Sequence, residues 1–182
     1  MSRIVSIENQ LIKGCKQNKA KAQMQLYDRY CQAMFIIANR YLKDQHTAED
    51  VMQEAFVKVF KRIDSFKGEV TIGAWIKKIV INQCIDYLKK QKIEVVGIED
   101  KHFEVETQNT WTVADNVKID IIIQLIEELP EKYKLVLKLY LLEGYDHQEI
   151  AQVLDITEVN SRSQLMRGKN KLKSQLKALN YA

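Results

Sequence analysis

Apolar residues recur along most of the chain at helical spacing. The clearest run is Ala48, Val51, Met52, Ala55, Phe56, Val59, Phe60 and Ile63. Steps of three and four between them trace a stripe down one face of a helix. The pattern predicts a start at Thr47, with Asp50 three residues on as an acidic variant of the capping box. Upstream, residues 7–17 predict a short helix capped by Ser6. Residues 19–42 predict a longer one, with Leu26, Tyr30, Ala33, Met34, Ile37, Ala38 and Tyr41 on one stripe. Asp64-Ser-Phe-Lys-Gly-Glu69 reads as a loop. A fourth helix is predicted from about Ile72 to Lys90, with Thr71 as its N-cap.

Helical periodicity fades over 93–116. That stretch holds six acids against Lys101 alone, a net of −5. It reads as an acidic linker between two helical domains, or as a long surface loop within one domain. Unstructured loops of such length are uncommon in compact domains. The expected layout is therefore a domain over 1–92, a linker over 93–114 and a domain over 115–182. Helices resume near Asp115 with Ile119, Ile122, Ile123, Ile126 and Leu129. Pro130 restarts a helix at a favoured N1 position. That helix is expected to end near Glu143, with Gly144 as the C′ residue.

Asp146-His-Gln-Glu149 is a capping box that opens a short helix with Ile150, Ala151 and Leu154 inward. Asp155-Ile-Thr157 is a tight connection, and a last helix runs from about Asn160 to Leu179. A short helix, a tight turn and a second amphipathic helix describe a helix-turn-helix. Ser161, Leu165, Gly168, Leu172, Leu176 and Leu179 share the inward face, and Gly168 would let the preceding helix approach closely. The fold class is all-α, two small helical domains joined by a linker.

Composition narrows the picture further. The 182 residues are 46% hydrophobic, enough for packed cores, and one proline with six glycines argues against a turn-rich β-sandwich. No run approaches the roughly 18 apolar residues of a membrane helix, so no membrane insertion is expected. The N-terminal Met-Ser-Arg-Ile-Val-Ser-Ile-Glu carries a charge where a signal peptide has its apolar core. Cys15, Cys31 and Cys84 are widely spread, and His46, His102 and His147 lie far apart. That spacing gives no disulfide framework, no metal site and no cofactor, and it fits reduced thiols in the cytoplasm.

A net charge of +4 decides nothing until it is located. From Glu158 onward six bases face one acid, a net of +5. Asn160, Ser161, Arg162, Ser163, Gln164, Arg167 and Lys171 lie on the last helix. Asn, Gln and Arg suit base edges, while Lys and Ser suit phosphates. From Thr71 to Lys92 five lysines face one acid, a net of +4. Lys77, Lys78, Asn82, Lys89 and Lys90 lie there beside Trp75, an arrangement that suits single-stranded nucleic acid. Trp75 also shares spacing with Ile72, Ile76 and Ile79 and reads first as core, a role that can coexist with stacking for so large a ring. Asp50, Gln53 and Glu54 form an acidic stripe on the third helix, a docking patch for a basic partner or a solvated face. No nucleophile motif or phosphate loop accompanies it, so no catalytic residue is expected.

Three readings fit these features: a transcription initiation subunit, a helix-turn-helix repressor or activator, and an enzyme acting on nucleic acid. Thr47-Ala-Glu-Asp-Val-Met-Gln-Glu-Ala-Phe-Val-Lys-Val-Phe60, Asp64-Ser-Phe-Lys-Gly68, Ala74-Trp-Ile-Lys-Lys-Ile-Val-Ile-Asn82 and Asp86-Tyr-Leu-Lys-Lys90 resemble region 2 of bacterial RNA polymerase sigma factors of the extracytoplasmic-function type. Leu129-Pro-Glu-Lys-Tyr133, Glu143-Gly-Tyr-Asp-His-Gln-Glu-Ile-Ala151 and Ser161-Arg-Ser-Gln-Leu-Met-Arg-Gly-Lys169 resemble region 4. The resemblance implies an initiation subunit that directs core polymerase to promoters and has no chemistry of its own. It implies that Asp50, Gln53 and Glu54 dock on the β′ clamp helices. It implies that Ser65, Phe66, Lys67, Trp75, Lys77, Lys78, Asn82, Lys89 and Lys90 melt and hold the −10 element. Asn160 to Gln164, Arg167 and Lys171 would read −35 duplex DNA, with region 4 also on the β flap. An anti-sigma factor is an implied partner. Val159-Asn160 stands where the family often has Gly-Thr, and Gly168 where it commonly has Ala. No region 1.1 or region 3 domain is evident.

Overall fold

A computed structural model of the chain describes residues 2–93 and 119–179. All regular elements among them are helical, and none is long and apolar enough to cross a membrane. The chain divides into two compact units, Met1–Ile98 and Glu99–Ala182. The expected linker over 93–114 lies outside the described residues apart from Ile93.

The first unit contains α1 (Ser2–Lys16), α2 (Ala20–Tyr41), α3 (Gln45–Arg62) and α4 (Ile72–Ile93), with a 3-10 turn at Ile63–Ser65. α1 runs through Ser6, which lies inside the helix and does not cap it. An interior serine costs only a few tenths of a kcal/mol or so of propensity, too little to stop a helix. α3 starts two residues before Thr47. Its cap is Asp44, which accepts from both the N–H and the hydroxyl of Thr47 at 2.7 Å. Those bonds hold the Asp44 carboxyl below its usual range. Asp50 takes no part in the cap and lies on the exposed face. Thr71 caps α4 as expected, accepting from Ala74 N–H at 3.2 Å.

α2, α3 and α4 pack on one another, and α1 lies against α2. Ala48, Val51, Met52, Ala55, Phe56, Val59 and Ile63 are buried, as their spacing predicts. Phe56 is met edge-on by Tyr27 at 4.8 Å between ring centroids. Ala33, expected inward, is exposed; it sits about 100° around the helix from buried Met34. The Tyr30 hydroxyl donates to Glu8 at 2.7 Å, and burial with that bond pushes its pKa up to about 12. Gly73 brings α4 onto this ring: a Cβ there would lie 2.9 Å from Tyr30 Cε1.

The second unit contains α5 (Ile119–Glu127), α6 (Glu131–Leu137), a π-helical turn at Lys138–Leu142, α7 (His147–Leu154) and α8 (Glu158–Ala178). Pro130 is the N-cap of α6, one residue outside the expected N1. Gly144, at φ +75°, follows the π turn as a left-handed terminator. The Asp146–Glu149 capping box is complete, with bonds of 2.8 and 3.1 Å. Asp155 turns the chain at φ +58°. The cap of α8 is Thr157, whose hydroxyl accepts from Asn160 N–H at 3.1 Å.

Ser161, Leu165, Gly168, Leu172 and Leu176 are buried, whereas Leu179 falls beyond the helix end and is 50% exposed. The helix that Gly168 admits is α6, not α7: a Cβ there would lie 2.9 Å from Leu137 Cδ1 and 3.3 Å from Tyr133 Cβ. α5 buries Leu125 and Ile126 but exposes Ile119 and Ile123. Lys134 and Lys138 are buried, with their ammonium groups 3.8 and 2.5 Å from the Glu127 carboxylate.

Candidate nucleic-acid and partner interfaces

On α3, Asp50, Gln53 and Glu54 are all exposed. Gln53 Nε2 donates to Glu49 at 3.4 Å, so the acidic patch includes Glu49 as well. Glu54 accepts a 2.7 Å bond from Gln83, which is buried on α4. One turn on, Lys58 lies 3.7 Å from Asp86 of α4. The acidic stripe is thus cross-linked to the neighbouring helix, a connection that spacing within α3 does not reveal.

The loop before α4 is shaped by two local devices. Ser65 donates to Arg62 O at 2.7 Å, and Gly68 takes φ +81°. Ser65 and Lys67 are exposed. Phe66 is 9% exposed, and its ring packs 5.5 Å from that of Trp75. Phe66 therefore props Trp75 and does not itself offer a contact surface, because its ring fills the space beneath the loop. Trp75 is half-buried: one part packs and another remains accessible. Lys78 and Lys90 are exposed, while Lys77, Asn82 and Lys89 are half-buried. Asp86 shares this helix and is held by Lys58.

On α8, Arg162 and Lys171 are exposed, and Asn160, Ser163, Gln164 and Arg167 are half-buried. Arg162 pairs with Glu158 at 3.0 Å. Lys171 Nζ lies 6.0 Å from the Tyr133 ring centroid. Ser161 is fully buried, its hydroxyl 2.9 Å from His147 Nδ1. It opens the inward stripe and is withdrawn from any DNA-facing surface. Asn160 is the third residue of the helix, because Thr157 takes its N–H. Val159, named from sequence as a departure from the family pattern, is 61% exposed on the first turn. His147, which the sequence marked only as part of a capping box, stacks on Tyr140 at 5.1 Å between ring centroids. Burial, and then Arg162, hold its pKa below the ordinary value.

Among the described residues no His, Cys, Asp and Glu cluster could hold a metal ion. Cys15 and Cys84 are buried and Cys31 is half-buried, all three unpaired. Burial pushes the Cys84 thiol up to about 12.

The family description Sigma-70 region 2 matches residues 26–93, and Sigma-70 region 4 matches 119–172. The chain is 30% identical over 184 aligned positions to the ECF RNA polymerase sigma factor SigW of Bacillus subtilis, covering 92% of this chain and 96% of that one. It is 28% identical to SigM of the same organism, covering 82% and 92%. The fold is similar to that of the sigma factor RpoE from Bartonella quintana, with TM-score 0.53, 19% identity and coverage of 85% and 96%. CnrH is similar at TM-score 0.52 and 19% identity, with coverage of 94% and 97%. Two independent family matches in the right order, and relatives aligned over nearly their whole length, make this chain a member of the ECF family of RNA polymerase sigma factors, which give core polymerase its promoter specificity.

Proposed function

We propose that the chain docks on the β′ clamp helices of core polymerase through Asp50, Gln53 and Glu54 of α3. α4 and its preceding loop then open and hold the −10 element, and α8 reads −35 duplex DNA while its unit rests on the β flap. The observation that carries the reading is the presence, in one chain, of an exposed acidic stripe and two basic helices in separate units. Complementary charge speeds docking and selects partners more than it adds affinity.

Extruding a −10 base costs a few kcal/mol, which contacts near the Gly68 loop must offset. Trp75 supplies an aromatic surface there, and Ser65, Lys67, Lys77, Lys78, Asn82, Lys89 and Lys90 supply polar contacts. On α8 the Arg162–Glu158 pair is exposed, so releasing Arg162 to a base or phosphate costs little. Asn160, Ser163, Gln164, Arg167 and Lys171 complete the surface. Val159 adds an apolar contact of the kind that fits a thymine methyl. The protein works in the cytoplasm and contributes binding and strand capture with no reaction of its own. An anti-sigma factor is a further expected partner, since RpoE of Bartonella quintana is held in complex with the anti-sigma factor NepR.

The test is run-off transcription with core polymerase plus this chain, followed by sequencing of transcript 5′ ends. Starts at a fixed distance from a shared pair of elements are expected. A chain that binds duplex DNA tightly alone and never programs core polymerase would sink the reading.

A further inference from the structure

α1 and α2 leave a tight turn in which Asn18 is left-handed at φ +53°. Gly14 lets the two helices close, since a Cβ there would lie 2.6 Å from Ala22 Cβ. Beside that close approach an open groove of about 750 Å³ runs between them. Gln10, Lys13 and Gln17 line it from α1, and Lys21, Gln25 and Arg29 line it from α2. Lys19 stands at the turn, and among the described residues no carboxylate lines the groove. Among the described residues no ion pair engages Lys13, Lys19, Lys21 or Arg29.

An ordinary solvated surface intersperses both signs of charge. Leu11, Gly14 and Ala22 form the apolar floor of this groove, and its polar lining among the described residues is cations and amides; those cations repel one another until an anion enters. From Lys21 to Arg29 the α2 wall extends about 12 Å, a strip suited to a polymer more than to one small anion. Among the described residues no aromatic side chain lines it, so they offer no stacking platform for bases. Its position is tied to the −10 loop. Lys16, one turn from Lys13, donates to Phe66 O at 3.0 Å and fixes α1 to that loop.

We infer that this groove holds the phosphodiester backbone of the DNA strand that continues from the captured −10 segment. The inference rests on the −10 reading of α4 and its loop. Ammonium and guanidinium groups supply charge-assisted bonds to phosphate, and the glutamine amides add donors, so the strand is held regardless of sequence.

The test uses holoenzyme carrying Lys13→Gln, Lys21→Gln and Arg29→Gln together, with promoter binding measured across salt concentrations. Removing one phosphate partner on a single strand lowers the log–log salt slope by about 0.7, so the triple variant should lose about two. Neutral methylphosphonate linkages flanking the −10 segment should lower the slope for wild type and leave the variant unmoved. Lys13→Arg with Lys21→Arg should keep the wild-type slope. An unchanged slope in the triple variant overturns the inference. Loss of core affinity or of anti-sigma binding with an unchanged slope also overturns it, and assigns the groove to an acidic protein segment. Thymine reactivity over −10 reads the underlying assignment separately. No opening by wild type removes that assignment, whereas normal opening with an unmoved slope removes only the groove.

Discussion

A methyl group added at Gly168 would stand 2.9 Å from Leu137 Cδ1, and Leu137 is fully buried. Gly168→Ala should gain about 1 kcal/mol of helix propensity and lose about 1–3 kcal/mol to overpacking. We expect a net loss of about 1 kcal/mol in denaturant melts. The double change with Leu137→Val should cost less than the two singles summed, since the sites share one space. His147 gives a pH-dependent counterpart. Its folded pKa lies below the usual 6.5, through burial first and Arg162 second, against Asp146 and Glu158. The unfolded chain therefore binds more protons at mildly acid pH, and stability falls as pH drops from about 6.5 through the folded pKa. Melting wild type and His147→Gln across that window should show a smaller acid loss in the variant. An equal loss in both would assign the effect elsewhere. The placement of Ser161 was legible, because its spacing with Leu165 and Gly168 put it on the inward face. Its polar character and family position argued the other way, and the buried bond to His147 reconciles the two.

At the scale of elements, periodicity located the helices far better than cap residues located their starts. Thr47 and Asn160 stand where spacing sets a helix start, yet each gives its N–H to an earlier cap, Asp44 and Thr157 respectively. A cap bonds the residue three places on, so where two cap-capable side chains stand three apart the earlier one claims the later one's amide. The cross-links between α3 and α4 were not legible, because Gln83 and Asp86 meet Glu54 and Lys58 only after both helices pack. They separate two variants of the acidic stripe proposed to dock on core polymerase. Asp50→Lys should weaken binding to core polymerase in a titration and leave the melt unmoved. Glu54→Lys should do the same and also lose about 1–3 kcal/mol of stability, since it strips the partner from buried Gln83.

Across the whole chain, a formal charge of +4 resolves into +4 and +5 on two helices with −5 between them. That division was readable from sequence because composition changes sharply at both ends of the acidic stretch. It makes promoter specificity separable by site. Arg162→Ala or Gln164→Ala should each cost about 1–3 kcal/mol of discrimination where the side chain makes a bidentate bond to a base. On a promoter with a scrambled −35 element the same changes should cost nothing further, and a uniform loss on all promoters would mark a phosphate partner. The α6 lysines extend the picture to chemistry from outside. Among the described residues Lys134 and Lys138 are the buried lysines, Lys138 held at Glu127 and Lys134 between Glu131 and Glu127, while lysines such as Lys78, Lys90 and Lys171 are exposed. An amine-acylating reagent followed by mass spectrometry would mark the open set at once. Reaction at Lys134 and Lys138 should lag behind the open set, so the delay between the two sets is a built-in clock for the opening of the second unit around these ion-paired lysines.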